Sequence, residues 1–256
     1  MSAHTQPIAG TWRAGYCHVS PALRCVICAI PKNANRTVKR FLLAAEGIDT
    51  AALSDPEMHA LCRERLSLAL RDDPEQHRLL DTYTTVIVLR DPLERLVSAF
   101  ADRVVRVERA ELNRPMFEAI HAPGHPASVG VTFTEFVGYL ARTPSRHLDH
   151  HWKPQADFAG GHPFDRACLI ADVDALLGSL ARERGIPHAR PAATERRATR
   201  PWTGSSLADV PSGELRRQGI LPGVAALCTP ETEALIRTRY GADLALIKRS
   251  LPTAAA

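Results

Sequence analysis

The sequence predicts an α/β fold in which a central parallel sheet is flanked by helices. Two apolar runs, Val26–Ile30 and Val86–Leu89, are too continuous for half-exposed strands and fit central ones covered on both faces. Each run enters a polar turn and then a stretch whose apolar residues recur at helical spacing. Strands alternating with helices in this way build a parallel sheet, with ligands at the carboxyl ends of the strands.

Taken in order, residues 1–20 read as an N-terminal extension and 24–30 as the first strand. A helix over 37–46 follows, with Val38, Phe41, Leu42 and Ala45 on one face and Gly47 as its stop. A helical region over 56–80 precedes a strand at 84–90. The helix predicted over 92–106 has a sharply defined start: Asp91 suits the N-cap, Pro92 the first helical position, and Glu94 stands three beyond the cap. Residues 107–131 read as a loop. Thr132-Phe-Thr-Glu135 opens a helix over 132–142. The polar segment from Arg146 to Gln155 leads to a short strand, Ala167–Ala171, and to a helix over 173–184 ending before Gly185. The Pro-, Arg-, Thr- and Ser-rich stretch 187–213 reads as a surface loop or lid. A last helix over 230–240 is expected to stop at Gly241. The 256 residues, 45% of them hydrophobic, suffice for a single domain spanning 1–256.

Composition narrows the function. The net charge is +4, and only Lys32, Lys39, Lys153 and Lys248 among its basic residues are lysines; arginine supplies the planar forks suited to phosphate, sulfate and carboxylate. Aromatics make up 5% of the chain and interleave with no basic stripe, so no nucleic-acid partner is expected. No stretch has the roughly 20 apolar residues that span a bilayer, and the N-terminus has no signal-peptide core. A soluble, cytoplasmic protein with no membrane partner is therefore expected. The six cysteines, at 17, 25, 28, 62, 168 and 228, read as buried thiols. Cys25 and Cys28 stand three apart on a strand and point to opposite faces. Nothing completes a tetrahedral ligand set with them, so no metal is expected.

Two turns carry the chemistry. The first, Pro31-Lys32-Asn33-Ala34-Asn35-Arg36-Thr37, lies where a helix N-terminus offers free N–H groups and the positive end of its dipole, a natural seat for an anion. Lys32 supplies a point charge and Thr37 a hydroxyl from the first turn. The segment lacks the G-x-x-x-x-G-K-[ST] pattern of nucleoside triphosphate loops. In the second, Arg90 at the strand end and Ser98 in the helix can grip one phosphate between guanidinium and hydroxyl. On a helical wheel Arg95 lies beside Ser98, turned away from the stripe of Leu93, Leu96, Val97 and Phe100.

At these residues the chain resembles the carbohydrate sulfotransferases of the Golgi chondroitin, dermatan and HNK-1 group, as a soluble, bacterial-type member. Pro31–Thr37 is similar to their 5′-phosphosulfate loop, and Leu89-Arg-Asp-Pro-Leu-Glu-Arg-Leu-Val-Ser-Ala-Phe100 to their 3′-phosphate motif. His151-Trp-Lys-Pro-Gln155 is similar to their His-Trp-x-Pro-Gln segment, and Tyr240-Gly-Ala-Asp-Leu244 to their closing pattern. The resemblance implies a P-loop-like fold, 3′-phosphoadenosine-5′-phosphosulfate (PAPS) as donor, and a hydroxyl of a carbohydrate or sugar-containing small molecule as acceptor. It departs from the group at Asn35 and Arg36, where the relatives carry Cys or Ser followed by Thr or Ser, and it lacks their membrane anchor and their cysteine-rich stretch after the His-Trp segment.

Sulfuryl transfer needs an in-line nucleophile and neutralisation of the leaving oxygen, so positioning and electrostatics dominate. Lys32 then stabilises the departing phosphate, and Pro31, Asn33, Ala34, Asn35, Arg36 and Thr37 line the donor loop. Arg90 and Ser98, with Arg95 assisting, hold the 3′-phosphate. A histidine serves as general base, since imidazole titrates near neutrality: His151, which the resemblance favours, or His150, both beside Asp149. His59, His77 and Glu46 are alternatives. Two other classes stay open, a nucleotide or small-molecule kinase and a non-catalytic nucleotide-binding protein.

Overall fold

The computed structural model describes residues 14–68, 82–106, 110–123, 125–187 and 203–251. In chain order its principal elements are β1 (Cys17–Ser20), β2 (Cys25–Cys28), α1 (Asn35–Ala45), α2 (Asp55–Arg65), β3 (Thr84–Leu89), α3 (Pro92–Ala99), α4 (Ala110–Ile120), α5 (Phe133–Arg142), β4 (Arg166–Leu169), α6 (Val173–Glu183), α7 (Ser212–Arg217), α8 (Pro230–Arg239) and α9 (Gly241–Ser250). They belong to two compact units interleaved along the chain. The first takes its residues from 1–90, 154–196 and 245–256, the second from 91–153 and 197–244.

The first unit holds the sheet, ordered β1-β2-β3-β4. Strands β2, β3 and β4 run parallel, and β1 lies antiparallel on β2 with Cys17 opposite Cys28. Alternation along the two central strands sorts their side chains into two cores. Cys25, Ile27, Val86 and Val88 pack with Phe41 and Leu42 of α1, Met58 of α2 and Leu177 of α6. Val26, Cys28, Ile87 and Leu89 pack on the other face with Phe158 and Leu246. Both faces are covered, as the apolar runs predict, and the expected α/β architecture is present.

Strand β1 corrects the expected extension over 1–20. It has only four residues, two of them His18 and Ser20, so it shows no strand pattern of its own. Its stability comes from pairing with β2 and from the turn that follows. There the Ser20 hydroxyl accepts from Leu23 N and donates to Glu46 at 2.5 Å, while Ala22 N also donates to Glu46. Glu46, an alternative base in the sequence, is thus the anchor of a turn.

His18 is buried at 1% exposure, and its ring nitrogens have no hydrogen-bond partner among the described residues. Burial foremost, then the charges of Lys39 and His59, push its pKa down to about 3. The unfolded chain therefore takes up a proton that the folded chain refuses, over the interval from about 6.5 down to about 3. Stability should be level above pH 6.5 and fall below it, by roughly 5 kcal/mol once the pH is below about 3. Urea unfolding between pH 7 and pH 4 tests this: His18→Leu should flatten the slope by about one proton, and an unchanged slope would assign the acid sensitivity elsewhere.

The buried thiols follow expectation. Cys17, Cys25, Cys28, Cys62 and Cys168 are free and buried, and Cys228 is partly so. Burial pushes Cys25 and Cys168 up to about 12, which leaves little nucleophilic thiolate at neutral pH.

The second unit is helical. Leu96, Val97 and Phe100 pack against Phe133, Phe136 and Leu140 of α5, with Trp152, Ile236 and Tyr240 in the same core. Asp91 caps α3 by accepting from Leu93 N and Glu94 N, with Pro92 in the first turn, and Thr132 and Glu135 form a capping box on α5. Three expectations are corrected. The helix predicted over 92–106 is α only to Ala99 and π-helical from Phe100 to Arg106. The loop predicted over 107–131 contains α4. Gly241 opens α9 instead of ending the chain's last helix, because Tyr240 (φ −106°, ψ 26°) makes the break one residue earlier. Among the described residues no helix is long and apolar enough to cross a membrane. Most of the predicted lid, 188–202, and most of the helical region beyond Arg65, 69–81, lie outside the described residues.

Candidate active site

The first turn is more sharply built than its sequence shows. Helix α1 begins at Asn35, not at 37, because Ala34 occupies the N-cap in the left-handed region (φ 54°, ψ 27°). Lys32 is also left-handed at φ 71°. Two such residues without glycine cost on the order of 1 kcal/mol or more each and persist only where surrounding contacts impose them. The N-cap residue Ala34 makes no side-chain cap hydrogen bond to α1, as is also the case at α6 and α7, whereas Ser54, Asp91, Thr132 and Thr229 cap α2, α3, α5 and α8. The first-turn N–H groups of α1 thus receive no side-chain acceptor from the cap position of the turn that carries Lys32, which suits an anion.

The contacts that impose this shape come from far along the chain. Asn33 is fully buried, and its Nδ2 donates to Val88 O (2.9 Å) and to Gln155 Oε1 (2.6 Å). Asn35 Nδ2 donates to Ala29 O (2.7 Å). The Arg90 guanidinium donates to Lys32 O (3.1 Å), so the two predicted cations of this unit share one corner of it. Pro31 is buried and Thr37 half-buried in the first helical turn. Arg36 is exposed and pairs with Asp55 at 2.7 Å, tying α1 to the start of α2.

In the second unit Ser98 is half-buried on α3. Arg95 is not its exposed neighbour, as the helical wheel predicts: it is buried at 1% exposure. Its guanidinium donates to Lys153 O (2.8 Å) and His150 O (3.5 Å). The wheel sees only the helix's own stripe, whereas the segment 146–153 covers the opposite side. The same segment is pinned at its centre by Tyr240, whose hydroxyl donates to Trp152 O at 2.6 Å. Arg95 and Tyr240, from two of the similar stretches, hold the backbone of a third.

What they hold is a histidine in a fixed pose. Asp149 accepts from His151 N (2.8 Å) and lies 2.7 Å from His151 Nδ1, while His150 Nδ1 is 3.5 Å from its other oxygen. Burial raises the Asp149 carboxyl, but the His151 hydrogen bonds and the charges of both histidines outweigh it and bring it down to about 2. An ionised carboxylate on Nδ1 places the Nδ1–H tautomer and leaves Nε2 as the proton acceptor. Among the described residues Asp149, His150 and His151 also form the group of potential metal ligands whose atoms lie within 4.8 Å of one another. Of the other histidines, His59 sits 3.0 Å from Lys39 Nζ and is pushed down to about 4, by burial first and then by Lys39. His77 lies outside the described residues.

A family model described as the sulfotransferase family matches residues 17–173. The chain belongs to that family. The match contains the Lys32 turn, the Arg90–Ser98 segment and the Asp149–Gln155 segment, three of the four stretches singled out in the sequence. Carbohydrate sulfotransferase 14 of Mus musculus is 30% identical over 189 residues, covering 67% of this chain and 47% of the relative. Carbohydrate sulfotransferase 10 of Danio rerio is 31% identical over 154 residues, covering 52% and 41%. The human carbohydrate sulfotransferase 10 is 31% identical over 135 residues, covering 48% and 37%. The chain thus spans less than half the length of these relatives. No solved structure matches it. Gln155 is a residue of this site whose contacts the sequence did not show, since its partners stand 122 and 65 residues away.

Proposed function

We propose that this member of the sulfotransferase family transfers the sulfuryl group of PAPS to a hydroxyl of a carbohydrate or sugar-containing small molecule by in-line displacement. The observation that carries the reading is the uncapped N-terminus of α1 in the turn of Lys32, with the Arg90 guanidinium fastened to the Lys32 carbonyl. In this reading the α1 N–H groups and Lys32 take the 5′-phosphosulfate. Lys32 neutralises charge on the phosphate oxygen as the S–O bond to it breaks. Arg90 and Ser98 take the 3′-phosphate, and Arg95 positions the segment 150–153 instead of touching the donor. His151 Nε2 accepts the proton of the attacking hydroxyl, with the imidazole oriented by Asp149. The carbohydrate acceptor rests on the names of the relatives. A kinase reading is disfavoured because the turn carries no Gly-rich phosphate loop.

Calorimetry separates the readings. The protein should bind adenosine 3′,5′-bisphosphate at least about tenfold more tightly than ADP, since one charge-assisted contact set is lost with the 3′-phosphate. Equal affinity for the two would sink the 3′-phosphate assignment. Incubation with PAPS and a panel of sugar, nucleoside and phenolic acceptors, read by the mass gain of one sulfuryl group, then identifies the acceptor class.

A further inference from the structure

Gln155 makes a contact usually made by a strand. Its Nε2 donates to Arg90 O (2.8 Å) and its Oε1 accepts from Arg90 N (3.0 Å). The carboxamide thereby pairs with both main-chain groups of one residue, as a backbone peptide does in a ladder. Arg90 directly follows β3, so the side chain adds one rung beyond the strand's carboxyl end. The same Oε1 accepts from Asn33 Nδ2, which also donates to Val88 O. Asn33 adjoins Lys32, whose carbonyl accepts from the Arg90 guanidinium. The result is a closed circuit: Lys32 to Arg90, Arg90 to Gln155, Gln155 to Asn33, and back along the chain to Lys32.

Asn33 and Gln155 are both fully buried. The hydrogen bonds of this buried circuit rigidify it, although Asn33 Oδ1 has no partner among the described residues, and a further lost partner leaves more desolvated groups unpaired. The circuit therefore imposes two conformations with little intrinsic support, the left-handed Lys32 and Ala34. It also fixes the main chain from which the Arg90 guanidinium projects.

We propose that Gln155 and Asn33 are positioning residues for the donor. They touch no substrate atom, but set the backbone of the Lys32 turn and of Arg90 in the geometry that binds the two phosphate ends of PAPS. The proposal rests on the donor reading above. It explains why a glutamine closes the His-Trp-Lys-Pro-Gln segment: only a side chain with one donor and one acceptor on the same planar group matches both main-chain groups of Arg90.

The test uses the whole chain with Gln155→Leu, Gln155→Glu, Asn33→Ala and the double variant Asn33→Ala/Gln155→Leu, each checked for folding by circular dichroism. Gln155→Leu should weaken adenosine 3′,5′-bisphosphate by about 10- to 100-fold and speed amide hydrogen exchange over 31–37. The double variant should lose less than the sum of the single losses, because both substitutions break the same circuit. Gln155→Glu supplies a readout that a purely space-filling residue would not move. As a carboxylate it repels Arg90 O; protonated, it donates to that oxygen and restores the pairing. Its deficit in bisphosphate affinity relative to wild type should shrink as pH falls through the pKa of the new carboxyl, which burial raises and the Arg90 and Lys32 cations of the same circuit lower. A Gln155→Leu variant with wild-type affinity and wild-type exchange over 31–37 overturns the proposal, as does a pH-independent deficit in Gln155→Glu. If the wild type itself binds no bisphosphate, the donor reading falls, and the exchange over 31–37 alone decides: faster in Gln155→Leu supports the clamp, unchanged overturns it.

Discussion

Replacing Lys32 by alanine should lower kcat for sulfuryl transfer by about 10²–10³-fold while KM for PAPS moves only a few-fold. The asymmetry follows from when the charge appears. In bound PAPS the bridging oxygen between phosphorus and sulfur carries little charge, and it gains charge only as its bond to sulfur stretches. An ammonium on that oxygen is thus worth most in the transition state, and its removal is felt in kcat. The 5′-phosphate retains the N–H groups of α1, which the cap residue Ala34 leaves without a side-chain bond, so ground-state binding survives. Alanine is a fair replacement at φ 71°, because lysine and alanine meet the same Cβ penalty in the left-handed region; the backbone conformation is imposed by Asn33 and Arg90 in either case. Lys32→Arg should recover only part of the rate, since a planar fork does not reproduce a point charge on one oxygen. Steady-state kinetics by mass spectrometry decides it. A Lys32→Ala enzyme with kcat close to wild type would remove this residue from the chemistry.

The sequence showed the parts of this site that obey a local period and hid those that depend on partners elsewhere. The runs Val26–Ile30 and Val86–Leu89 revealed β2 and β3 because both faces of each are covered within one unit. The stripe and the Asp91-Pro92 cap revealed α3. Strand β1 stayed hidden because His18 and Ser20 break its apolar pattern, and its pairing with β2 is a tertiary fact. Arg95 was misread for a related reason: a helical wheel reports the helix's own composition, not the segment laid across its far side. Gln155 and Asn33 are 122 residues apart and neither is distinctive alone. Lys32 and Ala34 in the left-handed region could not be inferred either, since nothing but glycine or asparagine advertises that conformation.

Beside Lys32, the largest effect on the chemical step should come from His151. His151→Ala should reduce kcat/KM by about 10²–10⁴-fold, the usual worth of a positioned general base. His150→Ala should stay within a few-fold of wild type. The two imidazoles are neighbours, with ring centroids 4.0 Å apart, yet their surroundings differ. His151 is 16% exposed and tied to Asp149 through both its backbone N–H and its ring, whereas His150 is 42% exposed and stands 3.5 Å from the same carboxylate. Only the first has its tautomer and ring plane fixed. Asp149→Asn tests the orienting group separately. Asparagine can present its NH₂ to Nδ1 and so favour the wrong tautomer, which leaves Nε2 protonated and unable to accept. Its loss should approach that of His151→Ala without disturbing bisphosphate binding, since the donor contacts lie on other residues. The Asp149 carboxyl, at about 2, is ionised at neutral pH, so the orienting acceptor on Nδ1 is in place there. If His150→Ala collapses the rate and His151→Ala does not, the base is His150 and the Asp149–His151 pair is structural. If neither does, the proton of the acceptor hydroxyl leaves by another route, and the in-line reading must stand on Lys32 and Arg90 alone.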